Sequence, residues 1–461
     1  MRFTQFLFII LVNLSGQFGL ITFVIAAEGT RPPDVRLSET SSQDTKPPDV
    51  RPLETSLASI SLDEAIVLAL QANPDIAVAF SGREVESGQL LQASARPNPT
   101  LSGQIQDLRS QNRITTIIIN QKLETAGKRD KRVAAADANI AIADADIRIA
   151  QAETSAKVYG AFYQVLAAQQ AQALAIDLHQ IATKSKETTA KRVLAGKVSP
   201  VEETKAKVVE ASLKIDVLNA NQQLLAAKKR LISLWGKGLA SAETATFIAV
   251  GELDNLETLP ALSALALKLP NSPRLKKASL MVSQKQALSE IEKSKQTPDV
   301  TVSVGAQRNQ ELGGLTQAII GLSIPIPLFD KNKGNFQSAK AREVLLQDEK
   351  TALENQLQTE LAIAYASRQS HIEAIDTYSR DILPSAQSAF DAARKGFEFG
   401  KFSFLEVLDA QRTLFQTKTQ FIQTQALAHQ ALANIQSILG ITSTYKTIVD
   451  DVDQRNLYEI K

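Results

Sequence analysis

Apolar and polar residues follow two different periods along this chain, and the periods change twice in the same order. From Ser61, "SLDEAIVLALQANPDIAVA" has helical spacing. Ser61 is expected to cap the helix, with Glu64 three residues on completing a capping box. Asn73-Pro74 breaks the run, and a second helix heads toward Ala95. The same pattern returns at "LPALSALALKLPNSPRLKKASLMVSQ", broken at Asn271-Ser272-Pro273. After Pro298 the period drops to two. Val300, Val302, Val304 and Ala306 alternate with Thr301, Ser303, Gly305 and Gln307, which predicts a strand with one apolar face. Past "NQELGGL", Ala318, Ile320, Leu322 and Ile324 alternate with Ile319, Gly321 and Ser323. A weaker version precedes it: Leu101, Gly103 and Ile105 alternate with Thr100, Ser102 and Gln104, and "RITTIIINQKLE" follows a polar turn. The four strands have about ten residues each, the length a tilted strand needs to cross a bilayer. Strands of this kind alone fit a soluble hairpin equally well.

Each second strand runs into a very long helical stretch. Gly127 to about Lys191 contains no Pro, and Lys333 to about Arg394 contains only Pro384. About 60 helical residues make a rod of roughly 90 Å. Both rods stop in the same way. "AGKVSPVEETKAKV" from Ala195 and "FGKFSFLEVLDAQ" from Phe399 each place Gly-Lys, an apolar residue, Ser, and Glu three residues after the Ser. Return helices of about 35 residues then end at Gly236 and Gly440, where Gly is the expected helix stop. In the second return helix Leu405, Leu408, Phe415 and Ile422 predict a narrow seam of coiled-coil spacing, interrupted by Arg412 and Thr419. "AAADANIAIADADIRIAQAETSA" supplies small side chains that allow close helix approach.

The chain therefore reads as an internal duplication. The first repeat covers 60–236, with strands at about 99–124 and a helical hairpin at about 127–236. The second covers 257–440, with strands at about 299–326 and a hairpin at about 333–440. Residues 237–256 link them and 441–461 form a tail. Residues 1–27 read as a secretory signal: Arg2 precedes the apolar Phe6–Ile25, with a cleavage site at Ile25-Ala26-Ala27. A retained anchor is the alternative, and the remainder is exported in either case. Residues 28–59 hold "RPPDVRLSETS" and its near-copy "KPPDVRPLETS", a Pro-rich linker unable to bury a core. Beyond the signal, no run approaches about 18 uninterrupted apolar residues.

The fold class that follows is mainly α with a small β part. Four strands cannot close a barrel, since single-chain barrels begin at about eight. Open edges in lipid leave backbone groups unpaired at several kcal/mol each. The expected assembly is a homotrimer whose β-barrel of about twelve strands, four per chain, continues as a long α-helical coiled-coil tunnel. The two Gly-Lys breaks are then the tips of equivalent hairpins, at the end of the tube farthest from the barrel.

At this point the sequence resembles the TolC-like outer-membrane efflux channels, over about Ser61 to Gly440. The residues that carry the resemblance are "LDEAIVLALQANPDI", the junction "GLSIPIPLFDKNKGN", and "GFEFGKFSFLEVLDAQRTLFQTKTQFIQTQ" ending at "SILG". Within that family, "IPIPLFDKNKGN" and "LETAGKRDKRVA" look most like the branch serving cobalt–zinc–cadmium pumps. The resemblance implies an outer-membrane exit duct for heavy-metal cations that extends into the periplasm. It implies as partners a periplasmic adaptor and an inner-membrane, proton-driven pump of the RND type. Organic solutes or secreted polypeptide are the alternative cargo, and an exported coiled-coil scaffold without a pore is the alternative class. Many relatives carry a lipidated N-terminal Cys. This chain has no Cys, so barrel insertion in outer-membrane lipid is expected to hold it.

Composition narrows the chemistry further. A net charge of +2 and 5% aromatics give no surplus for nucleic acid. His179, His371 and His429 lie far apart in helical runs without metal-ligand spacing, and read as solvated or wall residues. "AGKRDK" and "AGKVSP" lack the upstream Gly of a phosphate loop. The reading is a protein with no catalytic site, resident metal or cofactor. Three groups of residues are expected to act instead. Gly196, Lys197, Ser199, Gly400, Lys401 and Ser403 form tips that, by resemblance, dock the adaptor. Pro325 and Pro327 end a strand, and Gly334 allows a tight turn from barrel to helix. Glu406 and Asp409 share a helix face inside the second tip. In a trimer they would converge as a cation-favouring periplasmic gate. The matching positions of the first repeat are Glu202 and Lys205. Phe402 stands where some relatives carry Arg, so the resemblance does not carry over an ion-pair latch.

Overall fold

The structure is a computed structural model, and it describes residues 59–107, 109–236 and 247–441. The expected signal (1–27), nearly all of the Pro-rich linker (28–59), part of the inter-repeat linker (237–246) and all of the tail but Ile441 lie outside the described residues.

Two helices open the fold: α1 (Leu62–Ala72) and α2 (Pro74–Ser94). Ser61 caps α1 in a full capping box with Glu64, and Asn73 caps α2 with Pro74 at the first helical position. By composition Leu62–Ser94 is apolar enough for a membrane span. It is instead two helices packed on the hairpin behind them. Mid-α2, Arg83 pairs with Asp144 at 2.7 Å.

Strands β2 (Thr100–Gln106) and β3 (Ile114–Leu123) follow, then α3 (Lys128–Leu194) and α4 (Pro200–Ser233). At 67 residues, α3 is a rod of about 100 Å. The same element order then recurs. A short helix α5 (Leu262–Ala266), a 3₁₀ turn and α6 (Pro273–Ser294) precede β5 (Val300–Asn309) and β6 (Leu315–Ser323). The second hairpin is α7 (Lys333–Thr377) and α8 (Leu383–Glu398), joined by a π turn, and its return is α9 (Phe404–Leu439).

Matching joints hold both hairpins at their bases. A Cβ on Gly236 would lie 1.8 Å from the Ala72 carbonyl oxygen, and one on Gly440 would lie 2.3 Å from Pro273 Cδ. Both glycines have positive φ, 66° and 67°. Each is therefore required twice over, for the helix stop and for the close approach of the helix pair. Two cores flank these joints. Ile60, Phe162, Leu231, Trp235 and Phe247 form one, and Leu265, Leu275, Leu357, Leu361 and Ile435 form the other. Trp235 Nε1 donates to the Ala65 carbonyl at 3.1 Å. A two-residue parallel pair, β1 (Ser59–Ile60) with β4 (Ile248–Ala249), ties the entry of the fold to the inter-repeat segment.

The seam of α9 follows the predicted one only in part: Ile422 is buried, Leu408 and Phe415 are half-buried, and Leu405 faces outward. The buried stripe nearest the tip is Phe404, Val407, Gln411 and Leu414. The stripe joins Ala206 of α4 and Phe390 and Phe397 of α8. Neighbouring positions on a helix differ by about 100°. Periodicity therefore finds an apolar helix readily, but not which of two adjacent stripes meets its own chain.

Candidate functional site

The four longer strands form one antiparallel sheet in the order β2-β3-β5-β6. The register aligns Leu101, Ile119, Val304 and Ile320 in one row across all four strands. These residues are exposed, as are Ile105, Ile117 and Leu322. The opposite face carries Thr100, Asn120, Ser303 and Gly321 in the row beside it. There Asn120 donates to Ser102 Oγ at 3.1 Å and accepts from Ser303 Oγ at 2.6 Å. The apolar face is bare and the polar face is cross-linked, the reverse of a hairpin seated on a soluble core. The outer edges of β2 and β6 have no partner strand among the described residues.

Where sheet meets helices, Asp299 binds both repeats together. Lys128 Nζ lies 2.5 Å and Lys122 Nζ 3.0 Å from its carboxylate, and the Thr125 N–H donates to it at 3.1 Å. Burial pushes the Asp299 pKa up, but these donors outweigh it and hold the group down to about 2. Sequence reasoning missed Asp299, because its partners lie some 170 residues earlier. On the second-repeat side, β6 ends at Ser323, two residues before Pro325. Pro325 and Pro327 follow in exposed, irregular chain. Gly334 does not make the turn expected of it. It lies inside α7, is absent from the positive-φ residues, and has open space around it. The left-handed residue is Asn332, φ 53°. Its amide donates to the Glu292 carbonyl at 2.8 Å and to the Glu292 carboxylate at 2.9 Å. Asn tolerates that conformation when its side chain is bonded locally.

The hairpin tips lie together. Arg192 of α3 donates to the Phe397 carbonyl at 2.9 Å, and its guanidinium stands 4.4 Å over the Phe397 ring. Both tips close by the same hydrogen bonds. Lys197 N–H reaches the Arg192 carbonyl and Gly196 N–H the Val193 carbonyl. Lys401 and Gly400 repeat this with Gly396 and Phe397. These are Schellman closures, with Gly196 and Gly400 at φ 69° and 73°. A Cβ at either Gly would meet nothing within 4 Å, so the backbone conformation alone demands glycine. Ser199 and Ser403 cap the return helices. Leu194, Phe399 and Phe402 are exposed around Lys197 and Lys401. One tip residue went unnoticed in the sequence. A Cβ on Gly396 would lie 2.2 Å from the Phe402 ring, so Gly396 is the seat of Phe402.

The two acids inside the second tip are both exposed, but they differ. Glu406 is bonded to its own helix start, accepting from Ser403 N–H at 2.6 Å and Ser403 Oγ at 3.1 Å. Asp409 has no ion pair with Arg412 among the described residues. In the first tip, Glu202 makes no such box, and its Oε2 is buried without a hydrogen-bond partner.

The three histidines differ from their expected reading at one position. His179 pairs with Glu210 at 3.2 Å on a part-exposed face, and His371 contacts Ser367. His429 is fully buried. Tyr159 OH is 3.0 Å from its Nδ1 and the Leu253 carbonyl 3.0 Å from its Nε2, and the Tyr163 ring stacks on it at 3.5 Å. Since Nε2 must donate to the carbonyl, Nδ1 accepts from Tyr159. Burial pushes the His429 pKa down to about 4, against the hydrogen bond to Leu253. It is a core residue, pinned by contacts from distant segments. Among the described residues no three His, Cys, Asp or Glu converge as a metal site would require.

Comparison with known proteins agrees with this geometry. The family model described as "Outer membrane efflux protein" matches residues 65–237 and 264–441. The chain is 36% identical over 383 residues to the cobalt-zinc-cadmium resistance protein CzcC of Cupriavidus metallidurans, covering 83% of this chain and 90% of that protein. It is 26% identical over 248 residues to the cation efflux system protein CusC of Escherichia coli K12, about half of each chain (50% and 51%). The crystal structure of the outer membrane protein VceC from Vibrio cholerae superposes with a TM-score of 0.67 at 22% identity, covering 82% of this chain and 96% of that one.

Proposed function

The chain belongs to the outer membrane efflux protein family, and from that premise we propose that it is the outer-membrane exit duct of a tripartite, proton-driven efflux system for heavy-metal cations. The observation that carries the duct is the open four-stranded sheet, with bare apolar residues on one face, bonded polar residues on the other and two unpaired edges. Such a sheet is stable in lipid only when its edges close on other copies. Three copies of an internally duplicated chain make a barrel of about twelve strands. Apolar residues left bare along α4 support the same assembly: Val201, Val208 and Ile215 are exposed at seven-residue intervals, with Leu218 beside them. That spacing fits a helix of a neighbouring copy.

The cargo reading rests on the likeness to CzcC. The tips then dock a periplasmic adaptor through Gly196, Lys197, Ser199, Gly400, Lys401 and Ser403, with Leu194, Phe399 and Phe402 as the apolar contact. The adaptor couples the duct to an inner-membrane RND-type pump. Glu406 and Asp409 line the periplasmic mouth and favour cations. Pro325 and Pro327 turn the chain from barrel to tube, with Asn332 making the turn assigned in the sequence to Gly334.

Two measurements test this. Cross-linking of the detergent-purified protein should stop at three copies; a monomer that conducts ions in planar bilayers overturns the assembly. Deletion in the source bacterium should lower tolerance to cobalt, zinc or cadmium and raise their retention. Unchanged metal tolerance alongside lost tolerance to organic compounds overturns the cargo.

A further inference from the structure

The second junction carries an apolar surface that the duct reading leaves unused. Every residue from Leu322 to Lys331 is exposed. Ile324, Ile326 and Leu328 are among them, and Phe329 is 99% exposed. A run of this kind on a folded surface requires a function. The matching junction of the first repeat has none. There Glu124 is tied to Arg132 and Thr125 Oγ1 donates to the Pro298 carbonyl at 2.7 Å.

We propose that Ile324–Phe329 is an interfacial anchor that inserts among the phospholipids of the periplasmic leaflet of the outer membrane. The inference rests on the barrel reading above. Ile320 and Leu322 lie on the bare apolar face of β6, and Ile324 and Ile326 continue the same alternation past the strand end. A neighbouring copy would meet the backbone edge of β6, whereas these side chains stand out from the sheet face. Past Ile326 the chain folds over Pro327, with the Leu328 N–H on the Ile326 carbonyl at 2.9 Å. Prolines suit such a site, because Pro325 and Pro327 remove two N–H groups that lipid could not satisfy. Asp330, which accepts the Asn332 N–H at 2.9 Å, comes next, and Lys331 and Lys333 follow it. Both lysines are exposed, and neither forms an ion pair among the described residues. Apolar side chains followed by a polar segment with two lysines to one acid match the boundary between acyl chains and anionic headgroups.

The chain has no cysteine, so single cysteines can be introduced without background. Phe329→Cys, Ile320→Cys and Ser303→Cys are each labelled with a nitrobenzoxadiazole fluorophore. The full-length protein is then reconstituted in vesicles of phosphatidylethanolamine and phosphatidylglycerol. The expected result is a blue-shifted Phe329 label that loses most of its emission to lipids spin-labelled near the headgroup. The Ile320 label should be quenched by lipid, and the Ser303 label only by aqueous iodide. If Ile320 is quenched by lipid while Phe329 answers only to iodide, the anchor is overturned and the barrel stands. If Ile320 is not quenched by lipid, the barrel reading falls and the anchor falls with it. Efficient disulfide formation between copies through Phe329→Cys would assign the surface to a protein neighbour and overturn the proposal.

Discussion

The first hairpin climbs on a single unbroken helix, α3, whereas the second climbs on α7 and α8 joined by a π turn at Tyr378–Ile382. Pro384 explains the difference. It has no N–H, and its ring would press on the carbonyl four residues back. The ladder slips by one residue instead, and the Leu383 N–H bonds the Tyr378 carbonyl. Above that joint the second tip is the more fully capped one. Ser403 and Glu406 close a capping box and Phe402 lies on Gly396, whereas the first tip has a simple Ser199 cap and a Glu202 oxygen without a partner. The two hairpins therefore differ in build: one ascends on a continuous helix, and the other carries a fully capped tip beyond a π turn.

The strands differ between repeats as well, and the largest expected effect lies there. Pro99 precedes β2, whereas Asp299 precedes β5 and holds Lys128 and Lys122. Asp299→Ala strands a Lys128 side chain that is only 12% exposed, and should cost about 3 kcal/mol in unfolding. The wild-type pair should also show in acid. Its folded pKa lies below the unfolded value, so the stabilisation of ~2 kcal/mol is present above about pH 4 and is lost as pH falls toward 2. An acid-unfolding profile of Asp299→Asn parallel to wild type would remove this asymmetry.

Gly396→Leu should rank next, at about 1–3 kcal/mol, because the new side chain displaces Phe402. Its counterpart Arg192→Leu leaves room in the first tip and should chiefly lose the contacts to Phe397. Equal melting shifts would show that the tips are built alike. Gly196→Ala and Gly400→Ala should each cost about 1–2 kcal/mol from positive φ alone. Unequal costs would reveal a steric demand at one tip. Pro384→Ala returns a donor to the ladder, so amide exchange across Tyr378–Ile382 should slow while α3 is unchanged; the absence of slowing breaks the joint reading. The smallest stability effect is expected for Glu406→Gln/Asp409→Asn. Gln still completes a capping box, so melting should move by less than about 0.5 kcal/mol. Single-channel cation selectivity and block by divalent ions from the periplasmic side should nevertheless fall. Selectivity equal to wild type places the mouth elsewhere.

What the sequence by itself determined was local in origin. Strand and helix types, the lengths of the rods and the Gly-Lys tips all follow from period, capping residues and backbone freedom within a few positions. Element ends lie at such local signals: α3 begins at Lys128 after the left-handed Gly127, and α9 stops at the left-handed Gly440. The tertiary structure decided whatever depends on which distant segment arrives. It buried His429 beneath Tyr163, set Phe402 on Gly396, turned the chain at Asn332 rather than at Gly334, and put Phe404 and Val407 inward in place of Leu405. It also drew Asp299 to Lys128 across 171 residues. The physical reason is common to all of these. Backbone propensity is a property of neighbours in sequence, whereas burial and charge pairing are properties of neighbours in space.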